Sequence, residues 1–368
     1  MWAFSGRVRS ISNKDIALIV SKNLFSTKAK HSNSVFSVSI NSALTLAASG
    51  PDGSSVSDEI LSFLRSSSTD ELNAVFSKIV SVVFADHSAN GGPKISSVNG
   101  VWIKKTLPID SSFKDLFENF FKAVFDRVDF RSKLNKWAED HTNGLIKDLL
   151  PHGSISSLTN CVYGSALYFK GAWQVPFVKS NTIYGTSVAV PFMSSYENQY
   201  LKAYNGFKVL RIPYRQGDDE DQSQLLLSTR PFRFSMYFYL PDKNDGLEDL
   251  VKTMASTSEI LNCHIPRCKV LVNEFRIPKF KIAYGLDGQD LGLRSMALYH
   301  KACVKIDEEG ADAAAVTFAY SDGCSMYLEP PKRIDFVADH PFLFLIREDK
   351  TGTVLFVGQI FDHSDKSA

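Results

Sequence analysis

Apolar positions recur at helical spacing through much of the first 150 residues, and at alternate or consecutive positions through much of the remainder. Ile16, Ile19, Val20 and Leu24 follow a three-and-four rhythm behind Ser12 or Asn13, either of which can cap a helix. Phe113, Leu116, Phe117, Phe120 and Val124 predict a second helix over 111–124. Leu134, Trp137, His141, Leu145 and Leu149 predict a third, stopped by Pro151. Beyond residue 200 the short runs 208–212, 235–240, 342–346 and 354–361 are rich in aromatic and β-branched residues and predict strands. Phe275, Ile277, Phe280 and Ile282 alternate around Pro278, as in a strand with a break, and Glu348-Asp349-Lys350-Thr351-Gly352 predicts a hairpin turn between two strands. Helices first and strands later, without a regular βα repeat, predict an α+β fold. No linker, repeat or low-complexity tract divides the 368 residues, so 1–368 reads as a single domain.

Composition narrows the function classes. Apolar residues are 44% and charged residues 22%, values of a globular chain that exclude wholesale disorder. The 41 basic and 40 acidic residues leave a net charge of +1, so no surplus draws the chain to nucleic acid or an acidic membrane. The 27 Phe and 13 Tyr point to a large core with substantial β structure. No apolar run approaches the ~18 residues of a membrane span, and the first apolar patch, 16–20, is too short and wrongly flanked for a secretory signal. Five cysteines (161, 263, 268, 303 and 324) without paired spacing read as reduced thiols, which predicts a cytoplasmic or nucleocytoplasmic protein.

The usual enzyme signatures fail. Tyr163-Gly164-Ser165-Ala166-Leu167 lacks the second glycine of a nucleophile elbow. Gly91-Gly92-Pro93-Lys94 lacks the length and hydroxyl residue of a phosphate loop. In Asp242-Lys243-Asn244-Asp245-Gly246 the glycine comes one position early for a calcium loop, and a strand-to-helix turn is expected instead. Cys263, His264 and Cys268 have no second pair of soft ligands at zinc spacing. The acidic run 218–221 reads as a solvated loop tip. The expectation is no enzyme, no metal and no cofactor.

The segment 308–326 is different. It is poor in core residues and rich in Ala, Gly and Ser, and it alternates. If extended, Ala311, Ala313, Ala315, Thr317, Ala319, Ser321 and Gly323 form one side, and Asp312, Ala314, Val316, Phe318, Tyr320 and Asp322 the other. One side is small throughout and could slide beneath a crowded sheet; the other carries every bulky or charged group. The alternative is chance alternation in a loop of small residues.

Here the sequence resembles the serpin family, and most closely its plant members. Asp307-Glu308-Glu309-Gly310 with the alanine run behind it resembles the family's hinge before the reactive-centre loop. The block 336–344, Phe-Val-Ala-Asp-His-Pro-Phe-Leu-Phe, matches the family's C-terminal signature. Leu167-Tyr168-Phe169-Lys170-Gly171-Ala172-Trp173 matches another family block, and 234–242 is similar to plant members. The resemblance runs from about residue 11 to residue 362.

The resemblance implies a three-sheet α+β fold held in a metastable state, with a reactive-centre loop at about 308–333 that serves as bait. Cleavage lets the loop enter the large central sheet and drags the acyl-linked protease with it. Glu308, Glu309, Gly310, Ala311, Asp312, Ala313, Ala314, Ala315, Val316 and Thr317 would form the hinge. The family's hinge-to-cleavage spacing places the reactive bond at Cys324–Ser325. The implied partner is a serine endopeptidase, with a chymotrypsin-like protease or a papain-like cysteine protease as the target if the bond lies at Met326 or Tyr327. The implied state is a monomer, and family precedent also allows an extracellular location. A serpin without inhibitory action, serving in binding or storage, is the alternative.

The departures from the family concern the shutter, the region that parts when the loop enters, to which the resemblance assigns Ser37, Ser39, Ser165 and His300. Phe36-Ser37-Val38-Ser39-Ile40 is one residue shorter than the family's Phe-Ser-Pro-x-Ser-Ile. Ser165 stands where the family has an asparagine facing the histidine that His300 matches, so His300 is expected to lose a partner. Stretches before Leu134, at 182–188 and between Leu286 and Tyr299 are shortened, and 223–231 is inserted.

Overall fold

Strand β1 (Ser34–Ser37) runs almost directly into helix α1 (Ser39–Ala48), which is buried on every side. Ile40, Ala43, Leu44, Leu46 and Ala47 fill its apolar faces, while Ser39, Asn41, Ser42 and Thr45 are small enough to enter the interior with them. Helices α2 (Ser54–Leu64) and α3 (Thr69–Lys78) follow. In this computed structural model the described residues are 24–363, apart from 26, 28, 52, 79, 81–87, 89–90, 129–132, 143, 145, 151, 157–158, 185–190, 217–232, 257–259, 294–295 and 312–332. Most of the expected N-terminal helix, the 223–231 insertion and the loop from 312 onward lie outside them.

The N-terminal part holds more strand than its periodicity predicts. Strand β2 (Lys94–Lys104) is one of the longest in the molecule. Its Ser and Asn residues hide a buried strand, because both of its faces are covered and no clean apolar alternation survives. The expected helix over 111–124 is also corrected. Helix α4 covers only Ser111–Asp115, started by the Asp110 carboxylate accepting from Ser112 N–H at 2.8 Å. A wider turn over Leu116–Phe120 follows, closed by Phe121 N–H on Leu116 O, and Val124 already begins strand β3 (Val124–Val128). Helix α5 (Lys133–His141) stops well before Leu149: Gly144, at φ 75°, donates its N–H to Glu139 O at 2.9 Å and closes the C-terminus.

The strands predicted in the second half are present. The chain continues through β4 (Cys161–Ala172), β5 (Val178–Tyr184), β6 (Pro191–Ser194), β7 (Gln199–Tyr204), β8 (Phe207–Pro213) and β9 (Phe234–Pro241). The turn after β9 leads into helix α6 (Leu247–Ser256) as expected, then α7 (Ile260–Cys263), β10 (Lys269–Val270), β11 (Phe275–Pro278) and β12 (Phe280–Asp287). Strand β13 (Ala297–Ile306) precedes β14 (Gly310–Ala311) and β15 (Phe336–Val337), and the hairpin β16 (Phe342–Glu348) and β17 (Val354–Ile360) ends the described fold.

Among the described residues these strands build three sheets. One has the order β1-β17-β16-β9-β8-β7-β10, a second β15-β11-β6-β5, and the central one β12-β13-β4-β2-β3 with β14 added to β4. The central sheet is buried on both faces. On its inner face Val101, Ile103, Tyr163, Leu167, Leu298, Ala302 and Val304 pack into two large cores shared with α1 and the seven-stranded sheet. On its outer face Trp102, Val162, Ala166, Tyr299 and Cys303 pack against Leu134, Trp137 and Ala138 of α5 and the segment carrying Ile146, Leu149 and Leu150. Trp102 and Trp137 meet edge to face at 4.7 Å, an arrangement worth ~0.5–1.5 kcal/mol beyond its area.

Candidate functional site

The site lies along the seam between β4 and β13. These neighbours run parallel and pair from Ala297 opposite Val162 to Ala302 opposite Leu167. Past that point they part: β13 continues to pair with β12 as far as Ile306, and β4 with β2 as far as Lys170. The mouth so opened holds β14, antiparallel to β4, with Gly310 opposite Ala172 and Ala311 opposite Gly171.

A dense set of contacts fixes this hinge. Asp307 N–H donates to Gly310 O at 3.1 Å, and Glu309 N–H to Asp307 Oδ1 at 3.0 Å, which closes a tight turn. Trp173 N–H donates to Glu309 O, Phe177 N–H to Glu308 O, and the Trp173 indole N–H to Asp307 O. Glu308 pairs with Lys279, and Asp307 with Lys305 at 3.5 Å. Trp173 stacks on Tyr214 at 4.6 Å. Gly310, at φ 140°, has no room for a side chain: a Cβ would strike Gly171 O and lie 2.7 Å from Ala172 Cα.

Beneath the closed part of the seam, Ser37, Ser39, Ser165 and His300 converge. Ser37 N–H donates to His300 Nε2 at 3.2 Å, so Nδ1 carries the ring proton and donates it to Ser165 Oγ at 2.9 Å. Ser39 Oγ reaches Ser165 Oγ at 3.5 Å and Ser37 Oγ at 2.8 Å. The expectation that Ser165 costs His300 a partner is therefore corrected. The serine hydroxyl is long enough, and the second ring nitrogen is held by a backbone donor that side-chain comparison overlooks. Burial pushes the imidazole down to about 3, so the ring is neutral.

That tautomer also disposes of a Ser165–His300 catalytic pair. A general base needs a free lone pair facing the nucleophile, and here Nδ1 is a donor. Both side chains are fully buried. No cluster of three or more metal-binding side chains occurs among the described residues, and Cys161, Cys263, Cys268 and Cys303 form no disulfide with one another.

On the outer face a strap crosses the seam. Tyr299 OH donates to Ser154 O at 3.0 Å, and Lys301 Nζ to Asp148 O at 3.2 Å. Asn135 of α5 bonds both N–H and O of Leu150. Sequence reasoning missed this strap and the roles of Trp173 and Lys279 in seating the hinge. Of the hinge, Glu308, Glu309, Gly310 and Ala311 are placed as described. Asp312, Ala313, Ala314, Ala315, Val316 and Thr317 lie outside the described residues, as do Cys324 and Ser325.

The family model for Serpin (serine protease inhibitor) matches residues 11–298 and 289–363, and the two stretches overlap over 289–298, inside the 286–299 segment expected to be shortened. Serpin-Z1 of Arabidopsis thaliana is 60% identical over 369 residues, covering 95% of this chain and 94% of that protein. Probable non-inhibitory serpin-Z5 of the same plant is 52% identical, covering 95% of this chain and 83% of that protein. The solved structure of Arabidopsis AtSerpin1 in its native stressed conformation superposes with a TM-score of 0.80 at 41% identity, covering 97% of each chain. The three sheets, the seam with its docked hinge and these matches agree: the chain belongs to the serpin family.

Proposed function

We propose that this chain inhibits an endopeptidase as a suicide substrate, through cleavage of the 308–333 loop and entry of its N-terminal arm between β4 and β13. The observation that carries the reading is β14, which is already seated antiparallel to β4 at the mouth of the seam. Continuing its register brings positions 313, 315 and 317 opposite Phe169, Leu167 and Ser165, on the inner face. Those are Ala313, Ala315 and Thr317, members of the small-residue side. Val316 and Phe318 then fall opposite Ala166 and Gly164, towards the layer of Trp102 and Leu149. Thirteen residues, 311–323, at ~3.3 Å each would add a strand of roughly 43 Å, enough to carry a tethered protease across a domain of this size.

The partner is a serine endopeptidase or a papain-like cysteine protease, and the proposed reactive bond is Cys324–Ser325. The 52% identity to a relative named as probably non-inhibitory supports a second reading, a serpin fold that binds without trapping. Incubation with a protease panel, followed by denaturing electrophoresis and mass spectrometry, separates the two. A detergent-resistant complex and a fragment ending at residue 324 support inhibition. Clean cleavage by every protease, with no complex, overturns it.

A further inference from the structure

Lys94 on β2 pairs with Lys170 on β4, and Lys281 on β12 pairs with Lys305 on β13. The parallel β4–β13 register runs from Val162 opposite Ala297 to Leu167 opposite Ala302; continued along both strands, it brings Lys170 level with Lys305. The four lysines therefore lie in one row across the central sheet, two on each side of the mouth where β4 and β13 part. All four project from the outer face, because along their strands they alternate in step with Trp102, Ala166, Cys303 and Ala283, which pack there in the layer under α5. Beyond that cover Lys94, Lys281 and Lys305 are exposed and Lys170 is half-buried. Like charges directly opposite one another on a sheet face destabilise the pairing, and this row holds two such pairs. Its own strands supply little relief. β2, β4 and β13 contain no acidic residue, and the one in β12, Asp287, stands at the far end of that strand. Asp307 meets Lys305 at 3.5 Å, with both groups partly open to water, while Glu308 is taken by Lys279. Lys94 and Lys281 have no ion pair among the described residues.

The outer-face neighbours of the row on these strands include Tyr168 and Cys303, both buried, and no arginine stands among them. Ammonium groups are point charges that do not grip planar groups bidentately. Without an exposed ring there is nothing on which a base could stack. Such a row selects for density of negative charge alone. Beside it α5 and the segment carrying Ile146, Leu149 and Leu150 rise above the sheet, which holds a flat bilayer off the lysines and leaves room for a narrow chain. We propose that this row is a docking site of the intact protein for a linear polyphosphate chain. The chain lies across the strands and bridges Lys94 and Lys170 on one side of the mouth to Lys305 and Lys281 on the other. At ~4.8 Å per strand the row is at least ~14 Å long, so the ligand has to carry several phosphates. The site belongs to the intact molecule and does not depend on the inhibitory reading above.

The test titrates the intact protein with medium-chain sodium polyphosphate at several salt concentrations. Pyrophosphate, dextran sulfate, a single-stranded oligonucleotide and phosphatidylserine vesicles are compared at equal charge. Polyphosphate should bind tightest, and about tenfold or more tighter per phosphate than pyrophosphate, which is too short to cross the mouth. Lys94→Gln combined with Lys281→Gln should weaken binding about tenfold or more and lower the slope of log K against log salt by about two, one for each lysine that no longer displaces a counterion. Lys243→Gln combined with Lys252→Gln, on the turn and helix after β9, should change neither. Without ligand, the Lys94→Gln/Lys281→Gln protein should unfold in guanidinium at or above the wild-type midpoint, because two repulsions are relieved. Polyphosphate should raise the wild-type midpoint more than that of this variant. Absence of binding at low salt, equal losses in the two double variants, or tighter binding of dextran sulfate, the oligonucleotide or the vesicles each overturns the proposal. So does a ligand-free midpoint of Lys94→Gln/Lys281→Gln well below wild type, since the intact molecule would then already satisfy these charges itself.

Discussion

Ser165 on β4 and His300 on β13 face one another across the pairing that has to break for a strand to enter, joined by a 2.9 Å hydrogen bond in which the imidazole is the donor. Because the ring is neutral and pushed down to about 3, it sets a pH dependence. The unfolded chain takes up a proton on this histidine near pH 6.5, whereas the native state does so only near 3. The unfolded state therefore binds more protons in that window, and stability falls as pH drops from about 6.5 towards 3, by up to about 1.4 kcal/mol per pH unit. His363, also lowered by burial, acts in the same direction. The slope that disappears in His300→Gln isolates the His300 share. Denaturant midpoints of the two proteins between pH 7 and pH 4 measure it, and parallel pH profiles would refute it.

Removing the serine hydroxyl should be costly, and lengthening it should bring little. Ser165→Ala leaves a buried ring N–H without an acceptor, a loss of about 1–3 kcal/mol. Ser165→Asn gives His300 nothing that it lacks and has to fit a larger amide into a fully buried position. Chemical denaturation of the intact protein should rank wild type above Ser165→Ala, with no gain for Ser165→Asn. A clear gain for the asparagine would mean that the hydroxyl contact is poor.

Gly310→Ala tests the hinge. The new methyl group would strike the Gly171 carbonyl and force a strained positive φ, so β14 should leave the mouth of the seam. Trp173 N–H then loses its acceptor on the neighbouring Glu309. Amide exchange at Trp173 and Phe177 should accelerate, while exchange in the β16–β17 hairpin stays as in wild type. Unchanged protection at both sites would show that the hinge tolerates the side chain.

Much of the fold could be read from the chain because its C-terminal strands announce themselves. Phe342–Ile346 and Val354–Phe361 are continuous aromatic and β-branched runs, a composition that favours short buried strands. Strand β2 was hidden because Ser96, Ser97, Asn99 and Gly100 look like loop residues until both covering layers are known. The helix expected over 111–124 failed for a related reason. Phe113 and Phe125 do stack on Phe117, and Phe121 packs against it at a tilt, but these rings come from a helix, a wide turn and a strand. In the site, Gly310 and the alanine run were legible as local signals. The partners of His300 were not, because one of them is the backbone N–H of Ser37, 263 residues away in the chain. Trp173 and Lys279 likewise act on the hinge through contacts that no local pattern encodes.

Ala311→Arg separates an inhibitor from an inert relative. Residue 311 pairs with Gly171, a row in which even a Cβ added to the glycine would sit 2.9 Å from Tyr214 and 3.1 Å from Phe169. An arginine entering on the inner side of that row would meet buried aromatic rings, and an unpaired guanidinium there carries a desolvation penalty of several kcal/mol. Insertion should stall at its first step, while the proposed reactive bond can still be cut. The variant should be cut as an ordinary substrate, trap nothing and gain no heat resistance from cleavage. Wild-type protein under the same conditions should form a detergent-resistant complex and, once cleaved, melt well above the intact form. Equal trapping by wild type and Ala311→Arg would mean that entry does not begin at residue 311.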